Sequence, residues 1–65
     1  MYMTRETTMI KIGSRVQYVR SIEWGPSIGD CGEVVDFLPS GSFLVRLDGG
    51  KSIYHTLERD VRVIK

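Results

Sequence analysis

GEVVDFLPSGSFLVRLDGGKSIYH, residues 32–55, is the stretch on which the fold turns. Two short turn signals, Pro39-Ser40-Gly41-Ser42 and Asp48-Gly49-Gly50, divide it into three runs of strand-forming residues. Glycine in such turns supplies the positive φ that tight hairpins demand. In the middle run, SFLVRLD (42–48), side chains flip face at every residue. Phe43, Val45 and Leu47 therefore fall inward, and Leu44 and Arg46 outward. The preceding run, GEVVDFL (32–38), is dense in β formers but breaks alternation. Val34 and Phe37 share a face only if a bulge lies between them. KSIYH (51–55) is a third short strand. Three strands joined by tight turns predict an antiparallel meander.

Working outward, RVQYVR (15–20) alternates with Val16 and Tyr18 on one face and Arg15 and Gln17 on the other. VRVI (61–64) predicts a last strand with Val61 and Val63 inward. Between the last two strands TLERD (56–60) is too short for a helix. It predicts a single 3₁₀ turn with Leu57 plugging the core. Between the first two strands lies a long loop within RSIEWGPSIGDCGEVV (20–35), which holds the only Trp, Trp24, and the only Cys, Cys31. Gly29 and Gly32 are expected to make the turn into the second strand, with Cys31 a small residue in that turn. The expected domain covers residues 9–65. Residues 1–8, MYMTRETT, are polar and aperiodic and are expected to be a flexible N-terminal extension.

Sixty-five residues suffice for one small domain. A chain of this length buries roughly 60% of the surface its unfolded form exposes, so a closed β core or a partner chain is expected to complete its stability. One Cys excludes an internal disulfide, and one Cys with one His cannot complete a four-ligand zinc site. No metal and no cofactor are expected. Nine Lys and Arg against eight Asp and Glu leave a net charge of +1 with the signs mixed along the chain. A domain built mainly to track phosphates is far more basic. No apolar run approaches a membrane span and no signal-peptide core is visible, so no membrane association and a cytoplasmic location are expected.

The order strand, long loop, strand, short loop, strand, tight turn, strand, 3₁₀ turn, strand resembles the SH3-like barrel, a five-stranded, strongly bent antiparallel sheet. Gly13-Ser14-Arg15-Val16, Gly29-Asp30-Cys31-Gly32-Glu33-Val34 and Phe43-Leu44-Val45-Arg46-Leu47-Asp48-Gly49-Gly50 look like the start, turn and strand pattern of KOW-type domains and their bacterial relatives. The resemblance covers residues 11–65 and implies an all-β, five-stranded antiparallel barrel with one 3₁₀ turn before the last strand. This barrel hosts many unrelated functions, so the resemblance speaks to fold rather than role. A more distant similarity links Gly13-Ser14-Arg15-Val16 and Ile53-Tyr54 to the plasmid-encoded type II dihydrofolate reductases. Those are oligomers with a Val-Gln-Ile-Tyr stretch lining a central pore. Here Lys51 and Ser52 stand where that stretch has Val and Gln.

No catalytic motif is complete. His55, Ser52 and Asp48 lack a nucleophile elbow and a deep cleft, so the chain is not expected to be an enzyme. After the inward positions are filled, Val19, Val35, Leu38, Leu44 and Trp24 still call for cover. Trp and Arg are the residue types most enriched at binding hot spots. The expected function is a small non-enzymatic binding module for a protein partner or a second copy of itself. Its expected contact residues are Arg15, Arg20, Glu23, Trp24, Val35 and Leu44, with Trp24 docking and Arg15, Arg20 and Glu23 setting orientation. Such minimal chains resemble accessory and regulatory proteins of phages, mobile elements and bacterial complexes. The alternative is a KOW-like domain binding RNA or DNA through Trp24 and basic side chains, Arg15, Arg20, Arg46, Lys51, Arg59 and Arg62. The second alternative, implied by the more distant similarity, is an oligomeric enzyme like the type II dihydrofolate reductases.

Overall fold

The computed structural model describes residues 10–50 and 52–64. The expected N-terminal extension, residues 1–8, and the start of the domain at Met9 lie outside the described residues, as does Lys51. Five strands form one antiparallel sheet: β1 (Arg15–Tyr18), β2 (Cys31–Phe37), β3 (Phe43–Leu47), β4 (Ile53–Thr56) and β5 (Val61–Val63). A single 3₁₀ turn, Glu58–Asp60, sits between β4 and β5. The all-β expectation, the five strands and the position of the 3₁₀ turn are borne out.

The strands lie in the order β4-β3-β2-β1-β5, so β2 to β4 form the meander and β5 returns to pair with β1. β4 and β5 are the two edges of the sheet and no ladder joins them. The expected closure into a barrel is therefore not present as strand pairing. The sheet is nevertheless strongly curved. Tyr18 Oη on β1 and Thr56 Oγ1 on β4 are 2.5 Å apart, although two strands separate them in the ladder. At about 4.8 Å per strand, a flat sheet would hold those strands roughly 14 Å apart.

The bulge needed by Val34 and Phe37 is present. Val34 pairs with Val45, the register shifts between Val34 and Asp36, and Phe37 pairs with Phe43. Val35 is the extra residue, half-buried at the bulge. Phe37 returns to the inner face and sets its ring edge-on to Phe43, the centroids 5.7 Å apart. Both hairpin turns follow their glycines: Gly41 at φ 100° in the first and Gly49 at φ 77° in the second.

The core is small: Val16, Tyr18, Val34, Phe43, Val45 and Val61, with Ile10, Ile22 and Leu47 packed against it. Three sequence expectations are corrected here. Leu57 does not plug the core. Thr56 takes the inner position, so the extended residue that follows turns outward and is 39% exposed. Val63 does face Val16 across the ladder, but at the open edge of β5 nothing covers it and it is 41% exposed. Gly32 is not in the turn. It is a buried β2 residue between Val16 and Leu47, and Cys31 opens the strand beside it. A Cβ on Gly32 would lie 2.6 Å from the Arg46 carbonyl oxygen and 2.7 Å from Val45 Cγ1. Its missing side chain is what lets the central strands bend toward one another.

Candidate interaction site

The β1–β2 loop is held at both ends by the backbone. Tyr18 N–H donates to the Asp30 carbonyl and Gly29 N–H to the Tyr18 carbonyl, both at 2.8 Å. Within it, Ser21 Oγ accepts the Ile28 N–H at 3.0 Å, and Asp30 Oδ2 accepts the Ser27 N–H at 2.9 Å. Ile22 packs against the core, and Pro26 is buried. Ile22 N–H donates to the Pro26 carbonyl at 2.7 Å, and Gly25 N–H to the Ile22 carbonyl at 2.9 Å. The loop is thus tied down by its own backbone, and only the tip between Ile22 and Gly25 is free to project.

That tip carries Glu23 and Trp24. Trp24 is the third residue of a four-residue turn and has φ 63°, the one non-glycine residue with positive φ among the described residues. A positive φ at that position is the requirement of type II geometry, which glycine ordinarily meets. A bulky residue held there costs on the order of 1 kcal/mol or more. The conformation places the indole in solvent, and Trp24 is 93% exposed. Ile28, further along the same loop, is 64% exposed. The largest apolar side chain of the protein is displayed rather than packed, on a backbone that does not suit it.

The 3₁₀ turn abuts the base of this loop. Val19 N–H donates to the Asp60 carbonyl at 2.9 Å, and Arg20 Nε lies 3.6 Å from Asp60 Oδ1. The other carboxylate oxygen of Asp60, which is buried, accepts the Leu57 N–H at 3.3 Å. Among the described residues, Leu57, Glu58 and Arg59 line an open recess at the turn. The loop whose tip carries Trp24 is thus joined at its base to the 3₁₀ turn that bears the recess.

The six expected contact residues do not form one surface. Arg20, Glu23 and Trp24 share the loop. Arg15 and Leu44 stand on the outer face of the sheet and Val35 at the bulge, all half-buried. Arg15 grips Asp48 with two hydrogen bonds, Nη1 to Oδ1 at 2.8 Å and Nη2 to Oδ2 at 2.5 Å. Those bonds hold the Asp48 carboxyl below its ordinary range and push the Arg15 guanidinium up. Arg20 is occupied by Asp60, and Arg62 by two hydrogen bonds to Gln17 Oε1 at 3.2 and 2.9 Å. Three arginines expected as contacts for a partner or for nucleic acid are thus engaged within their own chain. Sequence reasoning missed the Leu57–Arg59 recess, because it had assigned Leu57 to the core.

His55 on the outer face meets Ser42 Oγ at 2.6 Å through Nε2, and Ser42 Oγ meets Ser40 Oγ at 2.9 Å. Ser42 is buried, and the other ring nitrogen of His55 has no hydrogen bond to orient it among the described residues, so the pair ties the β2–β3 turn to β4. Among the described residues no three His, Cys, Asp or Glu gather to hold a metal ion, and no helix is long and apolar enough to cross a membrane. No protein-family model, curated protein or solved structure matches the chain.

Proposed function

We propose that this chain is a small, non-enzymatic binding module of SH3-like type whose β1–β2 loop presents Trp24 to another protein surface. The observation that carries the reading is the combination at Trp24 of near-complete exposure and a left-handed backbone. Strain retained at an exposed aromatic points to use of that side chain, since replacement by glycine would relieve it at no cost to the core. Trp is among the residue types most enriched at interface hot spots, and a rigid loop loses little entropy on docking. For the fold, the support is the strand order, the long first loop, the 3₁₀ turn before the last strand and the curvature that brings Tyr18 to Thr56. A protein partner is favoured over nucleic acid because Arg15, Arg20 and Arg62 already have partners and the loop tip carries Glu23 rather than a cation.

The test is capture of binding proteins by the wild type and by Trp24→Ala, with circular dichroism to verify the fold of both. A protein retained by the wild type and lost with Trp24→Ala supports the module; identical capture by both ends the role of Trp24. Titration with single-stranded RNA and DNA at two salt concentrations reads out the other class. Salt-sensitive micromolar binding there would replace the protein reading with a nucleic-acid one.

A further inference from the structure

Resting on that reading, we infer that the surface Trp24 meets is a second copy of this chain, with Trp24 of each copy lying in the Leu57–Arg59 recess of the other. The loop that carries the anchor and the 3₁₀ turn that bears the recess are joined through the Val19–Asp60 and Arg20–Asp60 contacts. A two-fold axis past that junction brings loop to recess twice, in the self-complementary manner of a C2 dimer.

The chemistry of the two halves is complementary. The recess offers the half-exposed Leu57 side chain to the indole and the Arg59 guanidinium to its face. Glu23 precedes Trp24, so docking the indole carries that carboxylate toward Arg59 of the other copy. Neither Glu23 nor Arg59 makes a hydrogen bond or ion pair among the described residues, whereas Glu58, the third lining residue, is engaged within its own chain. One free anion and one free cation thus accompany the anchor and its receptor. The same contact covers Val19 and Ile28, which are exposed beside them, in a protein whose own core is small. An interface this limited in extent belongs to the weak, concentration-dependent class.

Sedimentation equilibrium of the full chain over a broad concentration range decides the matter. The wild type is expected to pass from monomer to dimer, with the emission of its single tryptophan moving to the blue as it does. Trp24→Ala and Arg59→Glu are each expected to weaken dimerisation at least tenfold. Combining Glu23→Arg with Arg59→Glu is expected to restore it, which a mere folding defect in either single variant could not produce. A dimer indifferent to Trp24→Ala, or a charge swap that fails to rescue, overturns the inference. A wild type that stays monomeric throughout, while Trp24→Ala still abolishes capture of a different protein, overturns the second copy and leaves the binding module standing. If Trp24→Ala alters neither dimerisation nor capture, both fall.

Discussion

Tyr18 and Thr56 share a buried hydrogen bond of 2.5 Å that spans the interior of the sheet from β1 to β4. Its direction follows from the surroundings. The Thr56 hydroxyl lies 3.1 Å from the Tyr54 carbonyl, to which only a hydroxyl can donate. Thr56 therefore gives its proton to Tyr54, and the Tyr18 phenol donates to Thr56 Oγ1. This bond links strands that the backbone ladder leaves apart.

That direction makes the two halves unequal under mutation. Tyr18→Phe leaves the Thr56 hydroxyl still donating to Tyr54, and is expected to cost about 0.5–1.5 kcal/mol. Thr56→Val strands a phenol in the core without an acceptor, and is expected to cost about 1–3 kcal/mol. Urea denaturation of the two variants checks the order, and a larger loss for Tyr18→Phe would mean that the proton runs the other way.

The same phenol sets an alkaline limit. Burial pushes the Tyr18 ionisation above its ordinary value, the Thr56 bond opposing and the Asp60 charge assisting. Below about pH 10 the phenol is protonated in both folded and unfolded chains, and its contribution is fully present. As pH rises further the unfolded chain ionises first, so stability falls until the folded pKa is passed. Thermal melts between pH 8 and roughly pH 11.5 should show that decline, and Tyr18→Phe should flatten it; an unchanged slope in the variant would assign the decline to other groups.

Gly32→Ala is expected to be among the most damaging single changes outside the apolar core. The added methyl meets the Arg46 carbonyl, a backbone atom that cannot swing aside, and the buried Val45 side chain. A loss of about 2 kcal/mol or more is expected, or failure to fold in a domain of this size. By contrast, no described residue lies within 4 Å of where a Cβ on Gly13 would sit, so Gly13→Ala meets chiefly the strain of φ 95° and should cost less. Equal melting temperatures for the two variants would mean that the sheet relaxes around residue 32.

Trp24→Gly separates display from stability. Glycine relieves the left-handed strain, about 1 kcal/mol, and gives back a similar amount through the greater freedom of the unfolded chain. The exposed indole contributes little burial, so the variant is expected to melt within a few degrees of the wild type while losing its interactions. A loss above about 2 kcal/mol would show that the indole packs on its own domain.

Much of the framework was legible in residues 32–55. The alternation of Phe43, Val45 and Leu47, and the failure of Val34 and Phe37 to alternate, specify the β3 face and the bulge in β2, and both are present. These are local facts: a side chain flips at each step, and a tight turn needs a residue that tolerates positive φ. Leu57 and Gly32 were misread for the opposite reason. A leucine beside a 3₁₀ turn suits core or surface equally, and a glycine near a turn reads as turn until the strand packed against it is known. The candidate site was legible in part. Trp24 stood out as the sole tryptophan in a long loop, whereas Arg15 and Arg20 became spoken for only when Asp48 and Asp60 were brought beside them.

The sequence by itself determined the all-β class, the strand count, the hairpin turns and the place of the 3₁₀ turn, because each depends on neighbours a few residues away. Only the tertiary structure decided which side chains are free to act. Tyr18 meets Thr56, Arg15 meets Asp48, and the turn bearing the Leu57–Arg59 recess is joined to the base of the Trp24 loop through contacts between residues far apart in the chain. The exposure of Trp24 belongs to the same level. Its turn is anchored by Ile22 on the core and by a buried Pro26, and that anchoring turns the indole away from the domain.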